Sequence, residues 1–245
     1  MTDTTTLYGS SDYVHAERID AARLRLTSAT DRDLFVRAFA EAMGLPHTVQ
    51  AVVLEALALV GLQPSMLEYQ ARLFPRDTIA QARQMALKMS SCGLTRETCL
   101  DTAGIAGQWT GVAYASRIGS ALSAEIIAAK KAGAWVDVAG GADFAPHPGD
   151  GVVIGCSSCP GTWGTGGFSM EHVLGVVLVD GDMITSVDGG QPGILLRTRE
   201  IRTMGRETWL ATVGCPMDSA DGRPTKGRRV LGHSNLAAWS AATNA

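Results

Sequence analysis

The residue pattern of the chain changes near Ala134, and this change is the strongest constraint on its fold. Before this point apolar residues recur at helical spacing, whereas after it short β-rich runs alternate with Gly and Asp turns. Helices followed by consecutive strands favour an α+β fold, because a doubly wound α/β fold would alternate the two kinds of element. We therefore predict N-terminal helices packed on a mostly antiparallel β-sheet.

Capping and turn residues set the limits of the predicted elements. Asp31 is a candidate N-cap, and Gly44, Gly61 and Gly133 are candidate helix ends. The polar, glycine-containing segment 218–229 is typical of a mobile loop. Helices are predicted at residues 31–43, 48–60, 77–89, 92–103 and 120–133, with a short turn at 67–73, and strands at residues 135–138, 152–154, 172–179, 183–187, 194–201 and 208–213.

Composition excludes several classes of protein. The chain has 245 residues, of which 46% are hydrophobic, so it can bury a core in one or two domains. Its net charge of -3 gives no overall positive field, which disfavours nucleic-acid binding. The sequence contains no run of about 18 apolar residues, so it does not predict a membrane span. The first residues, MTDTTTLYGSSDYVHAER, lack the pattern of a secretory signal, so we expect a non-classical route if the protein acts outside the cytoplasm.

Cys92 is the candidate nucleophile because it follows two serines at the predicted start of a helix. The free N–H groups and partial positive charge of a helix N-terminus favour a thiolate and can hold an oxyanion. A thiol nucleophile needs a histidine base, and that histidine needs an orienting acceptor. His172 is the candidate base, since it lies where the Gly-rich segment 155–170 enters a predicted strand. Cys99, two turns after Cys92, is expected in the core.

Asp188 is the candidate acceptor, and its position depends on the register of one hairpin. A three-residue loop at 179–181 pairs Leu178 with Asp182, and counting back from this pair places His172 opposite Asp188. A two-residue loop at 180–181 would put Asp188 on the opposite face of the sheet. The prediction therefore requires the three-residue loop.

These segments resemble a known family of enzymes. The runs PHPGDGVVIG (146–155) and EHVLGVVLVDGDMITSVDGG (171–190), with SSCGL (90–94) upstream, are similar to papain-like cell-wall peptidases, namely the NlpC-type endopeptidases and CHAP amidases. In that superfamily a cysteine at a helix start precedes a histidine strand, and a polar third residue follows. The resemblance covers about residues 80–191.

The resemblance implies a papain-like fold and a thiol hydrolase that needs no metal or cofactor. Residues 77–245 would form the hydrolase domain, and residues 1–76 a helical subdomain or an elaboration of it. Cys92, His172 and Asp188 would cleave an amide bond in the peptide part of peptidoglycan through an acyl-enzyme. The protein would be an endolysin or an exported effector delivered to the periplasm or cell wall, with an unknown delivery or immunity partner.

Other readings of the sequence stay open. A papain-like deamidase or transglutaminase acting on a protein would keep the same cysteine and histidine, and a non-catalytic protein would bury Cys92. Cys156 and Cys159 form a Cys-x-x-Cys run that can be a loop disulfide, two free thiols, a redox pair or part of a metal site. Trp163 and Phe168 can line a substrate groove or anchor their loop. Cys215 and His147 are further candidate metal ligands, although neither lies in a metal-binding motif, and His147 can equally be a turn residue. His15, His47 and His233 have no evident partners in the sequence. Residues 222–229 are typical of a solvated basic loop.

Overall fold

The protein is described by a computed structural model that covers residues 10–63, 91–105, 121–160, 168–190, 193–218 and 223–243. The helices named here are α1 (Ser10–Arg25), α2 (Ala29–Ala42), α3 (His47–Leu59), α4 (Ser91–Thr102), α5 (Ala121–Lys131) and α6 (Leu236–Thr243). The strands are β1 (Trp135–Val136), β2 (Gly151–Pro160), β3 (Phe168–Asp180), β4 (Met183–Gly189), β5 (Ile194–Met204), β6 (Glu207–Thr212) and β7 (Gly227–Ser234).

The strands form an antiparallel sheet that closes on itself. The order is β1-β7-β2-β3-β4-β5-β6, and a further pairing of β7 with β6 completes a ring of six strands. β1 lies outside this ring and pairs with the end of β7. Closure leaves these six strands without a long free edge. The predicted α+β class with an antiparallel sheet is confirmed, and its closure into a barrel is a feature that the sequence pattern did not indicate.

The N-terminal helices share one hydrophobic core with the outside of the barrel. α3 packs on α1, α4 and β3, and α2 also packs on β3. The fully buried Phe35 and Leu57 belong to the same cluster as Val177 and Ile194 of the barrel and Trp239 of α6. The helical region before residue 63 is therefore packed directly onto the barrel rather than separated from it.

A second apolar cluster fills the inside of the barrel. Inward residues at alternate positions of the strands form it, in keeping with the two-residue period of a β-strand. Its buried strand residues are Val152, Ile154, Leu174, Val176, Ile184, Leu210 and Val230, and Val138, from the turn after β1, also belongs to the cluster. Polar inward positions lie toward one end of the barrel, and the candidate site is at that end.

Several sequence predictions were wrong or incomplete. β7 begins at Gly227, so the predicted mobile loop at 218–229 is wrong for its last three residues. The polar sequence GRRVLGHS contains no apolar run before Val230, but β7 is paired on both sides, with β2 and β6. The helices α1 and α6 were not predicted. The predicted elements at 67–73 and 77–89 lie outside the described residues.

The strand predicted at 152–154 is β2, which continues to Pro160, so the part of the predicted Gly-rich loop that holds Cys156 and Cys159 is strand instead. The other predicted helices and strands agree with the structure within about four residues at each end. Within the described ranges, none of the helices combines the length and the apolar character needed to cross a membrane.

Candidate active site

An open cleft of about 620 Å³ lies at one end of the barrel. Each of the six barrel strands contributes at least one lining residue, for example Ile154 of β2, His172 of β3 and Leu210 of β6. In an antiparallel barrel the end of one strand lies beside the beginning of the next, so residues far apart in sequence meet at this end. Cys92 of α4 also lines the cleft. The cleft therefore joins the helical half of the chain to the barrel.

Cys92, His172 and Asp188 form a continuous hydrogen-bonded chain at this cleft. The Cys92 thiol is hydrogen-bonded to the imidazole of His172. The other link joins His172 Nε2 to Asp188 Oδ2 over 3.3 Å. Cys92 is 5% exposed, while the His172 side chain keeps 23% of its surface exposed and Asp188 is buried. The structure thus brings together the three residues that the sequence selected, with the imidazole in the middle.

A β-bulge, and not the predicted loop, puts Asp188 on the face of His172. The hairpin has a two-residue turn, Gly181 and Asp182, with Asp180 paired to Met183. The predicted pairs of Leu178 with Asp182 and of His172 with Asp188 are therefore wrong. Continued without interruption, the observed register would place Asp188 opposite Gly175, on the other face from His172.

The bulge lies at Val177. Leu178 pairs with Thr185 and Val176 pairs with Ser186, so Val177 is an extra residue on β3. Two residues further along both strands, past the pair of Gly175 with Val187, Asp188 lies beside Leu174, and His172 is then its diagonal neighbour on the same face. The bulge replaces the function of the predicted three-residue loop.

Arg199 and Ser186 complete the surroundings of Asp188, and sequence reasoning missed both. Arg199 Nη2 donates to Asp188 Oδ2 in a short contact, and Nη1 lies 3.3 Å from Oδ1. Ser186 Oγ donates to Asp188 Oδ1 over 2.7 Å and accepts from Arg199 Nη1 over 2.7 Å. The forked contact and the serine hold the carboxylate in one orientation toward His172. The alternation along β5 groups Arg199 with residues 195 and 197 on one face, but it does not indicate that this face points inward.

The charges of the site favour an imidazolium. Burial alone lowers the pKa of His172, but its hydrogen bonds to Asp188 and Cys92 outweigh burial and raise the pKa to about 9. For Asp188, burial alone raises the pKa. The hydrogen bond from His172 and the charge of Arg199 outweigh burial and hold the pKa of this carboxyl well below its usual range. Near neutral pH the site therefore holds a carboxylate and a protonated imidazole.

A buried ion pair fastens the cysteine helix to the barrel. Arg96, one turn after Cys92, places Nε 3.1 Å from Oε1 of Glu125 on α5. Ser234 Oγ of β7 donates to the same Oε1 over 2.6 Å and accepts from the Gly151 backbone N–H over 3.1 Å. An ideal Cβ on Gly151 would lie 2.0 Å from Glu125 Oε1, so this position needs glycine. The network fixes α4, and with it Cys92, relative to β2 and β7.

None of the other candidate residues whose side chains are described lines the cleft. Trp163 lies outside the described residues, as do the side chains of Phe168, Cys156 and Cys159. Cys99 is buried in the core as predicted, with its thiol 3.2 Å from the Thr95 carbonyl oxygen.

Cys215 is a buried free thiol, and no group of three or more metal-binding side chains occurs in the described part of the chain. His147 is an exposed residue next to the turn at Asp150.

His233 has a partner that the sequence did not indicate. Its Nδ1 lies 3.1 Å from Asp150 Oδ2, and both side chains are 2% exposed. Asp150 also accepts the backbone N–H groups of Leu236 and His147. This second histidine–aspartate pair ties the turn before β2 to the start of α6, and it does not line the cleft.

Comparison with known proteins does not assign this chain to a family. No protein-family model, curated protein sequence or solved structure matches the chain. The site must therefore be interpreted from its own residues.

Proposed function

We propose that this protein is a papain-like cysteine hydrolase that cleaves an amide bond in the peptide part of peptidoglycan. The observation that carries the proposal is the chain from the Cys92 thiol through the His172 imidazole to the Asp188 carboxylate, which opens onto a cleft. A nucleophile, a base and an orienting acid in hydrogen-bond contact are the arrangement that covalent acyl transfer requires. The resemblance of residues 90–94, 146–155 and 171–190 to cell-wall peptidases selects peptidoglycan as the substrate.

In the proposed resting state Cys92 has already given its proton to His172, which leaves a thiolate beside the imidazolium. The thiolate attacks the carbonyl carbon of the scissile amide, and backbone N–H groups near Cys92 hold the resulting oxyanion. The C–N bond breaks as His172 gives its proton to the leaving amine, which leaves a thioester on Cys92. Water, deprotonated by the now neutral His172, then attacks the thioester, and the C–S bond breaks to release the carboxylic acid and restore the thiolate beside the imidazolium.

Asp188 and Arg199 have positioning roles in this scheme. Asp188 accepts from His172 Nε2, so the other ring nitrogen, Nδ1, is the one assigned to the sulfur. Arg199 keeps Asp188 ionised and oriented, because it contacts both carboxylate oxygens. The raised pKa of His172, about 9, suits an imidazolium that keeps its proton until the amine leaves.

Purified sacculi test the proposal. Wild-type protein should release soluble muropeptides, identified by mass spectrometry, and Cys92→Ala should release none above background. Cys99→Ala is the matched control, since this buried cysteine lies on the same helix and away from the cleft. Identical fragment profiles from wild type and Cys92→Ala would reject thiol-dependent wall cleavage. Intact sacculi together with loss of ammonia from a protein glutamine would instead identify a deamidase.

A further inference from the structure

The wall of the cleft that faces the candidate triad is cationic. Arg197, Arg199, Lys226 and Arg228 line the cleft, whereas Asp188 is the one acidic residue among its described lining residues. This local excess of positive charge lies in a chain whose net charge is -3. Arg199 is engaged by Asp188 inside the barrel, while Arg197, Lys226 and Arg228 are exposed at the rim.

Strand alternation directs these rim residues into the cleft. Arg197 is paired with Ser186, and directly paired residues share a face, so Arg197 lies on the inward face that carries Ser186 and Asp188. Arg228 is paired in the same way with Leu210, a residue of the inner cluster. Lys226 is two residues from Arg228 and lines the same cleft.

The order of strands places these cations across the cleft from the nucleophile. In the six-strand ring β3 lies opposite β6, and the cations are on β5 and at the start of β7, on either side of β6. Six strands spaced about 4.8 Å apart enclose a barrel roughly 10 Å across, measured between backbones. Long arginine and lysine side chains shorten this gap. A group that contacts them is therefore about one residue away from an amide bond held at Cys92.

We infer that the cleft recognises an anionic peptide, through a carboxylate about one residue from the scissile amide. The inference rests on the proposed function for the identity of the cleft as a substrate site. Guanidinium groups bind carboxylates in a forked geometry, and Arg197 and Lys226 are exposed residues that line the cleft. Arg199, the cation inside the barrel, is already paired with the Asp188 carboxylate. The rim cations are then the ones that select the substrate.

Alkylation of Cys92 tests the inference without requiring turnover. Iodoacetate and iodoacetamide have nearly the same size, and both lose iodide to the thiolate, but only iodoacetate is anionic. The ratio of their rates at Cys92, located by peptide mass spectrometry, should fall about fivefold in the double variant Arg197→Gln, Lys226→Gln. Added salt should lower the wild-type ratio in the same direction. Arg206→Gln, an exposed residue at the turn between β5 and β6, should leave the ratio unchanged.

Equal ratios in the wild type and the double variant would overturn the inference. Each single variant should give a smaller decrease, so a folding defect in the double variant does not remove the test. Sacculi before and after chemical amidation of their carboxylates provide the second arm. The wild type should digest untreated sacculi faster, and the double variant should lose this difference through a higher KM.

The two arms separate failure of the inference from failure of the proposed function. Equal digestion of untreated and amidated sacculi overturns carboxylate recognition while peptidoglycan hydrolysis stands. If neither kind of sacculus is digested but the iodoacetate preference depends on Arg197 and Lys226, peptidoglycan is the wrong substrate. That result still supports recognition of an anionic ligand by the cleft.

Discussion

Replacing Asp188 with asparagine should lower the pKa of His172 and remove the protonated imidazole at neutral pH. The ordinary histidine pKa is 6.5, and in the folded protein it is about 9. At about 1.4 kcal/mol for each tenfold change, this difference corresponds to roughly 3–4 kcal/mol of net preference for the imidazolium. Burial opposes that preference, so Asp188 and Cys92 together supply more than the net amount. Asp188→Asn removes the carboxylate charge but keeps the burial, which moves the His172 pKa down toward or below 6.5.

An NMR titration of the imidazole signals of His172, assigned with His172→Gln, measures this change. The wild-type resonance should keep its protonated shift up to about pH 8, whereas the Asp188→Asn resonance should titrate at or below neutral pH. Asp180→Asn is the matched control, because Asp180 is an exposed carboxylate on β3, the strand of His172, and pairs with Arg37. If wild-type His172 titrates near 6.5, or if Asp188→Asn leaves its pKa unchanged, the proposed electrostatics of the site are wrong.

Three further perturbations test the fold and the site. In Cys92→Ala, the free energy of unfolding should decrease as the pH rises above about 6.5, because Asp188 still raises the folded-state pKa of His172, although to less than the wild-type value of about 9 to which Cys92 contributes. The stabilisation is complete below 6.5 and is lost as the pH rises through the folded value, and denaturant titrations should show no such decrease once His172→Gln is added. Gly151→Ala should cost about 3 kcal/mol or more in the same assay, because its Cβ would collide with Glu125 and Arg96, while Gly175→Ala on the paired strand, where the nearest atoms are 3.9 Å away, should cost much less. Burial and then Asp101 raise the pKa of Glu97 to about 8, so the wild-type protein loses stability as the pH rises from 4.5 to 8. Glu97→Gln should therefore be more stable than wild type at pH 8 by up to roughly 5 kcal/mol and should lose this advantage near pH 4.5. An advantage that does not vary with pH would contradict this.

Local periodicity was sufficient to predict most of the described elements. The strands at 172–179 and 183–187 contain apolar runs bounded by Asp and Gly, and both are present with slightly wider limits. β7 was missed because its apolar content is limited to a few residues, and pairing on both sides stabilises it. Closure of the barrel was not predictable for the same reason, since it depends on that strand.

The candidate site was accessible to sequence reasoning where chemistry alone selects residues. A cysteine in a small-residue context, a histidine at a strand start and an aspartate after the next strand are recognisable by type and order. Arg199 was not accessible, because its role depends on which face of β5 points inward and on a long side chain reaching Asp188. The pairing register was predicted wrongly because the turn consists of Gly181 and Asp182 instead of residues 179–181. Asp188 still lies on the face of His172 because of the bulge at Val177, which the residue types of the hairpin do not encode.

The extra residue at Val177 restricts which changes in length this hairpin can accept. An insertion or deletion of one residue between His172 and Asp188 would turn the carboxylate toward the outside of the barrel and leave the imidazole without it. A change of two residues would preserve the side of the sheet on which each lies. Among natural or engineered versions of this chain, working ones should therefore differ in this interval by even numbers of residues, unless a second compensating irregularity accompanies the change.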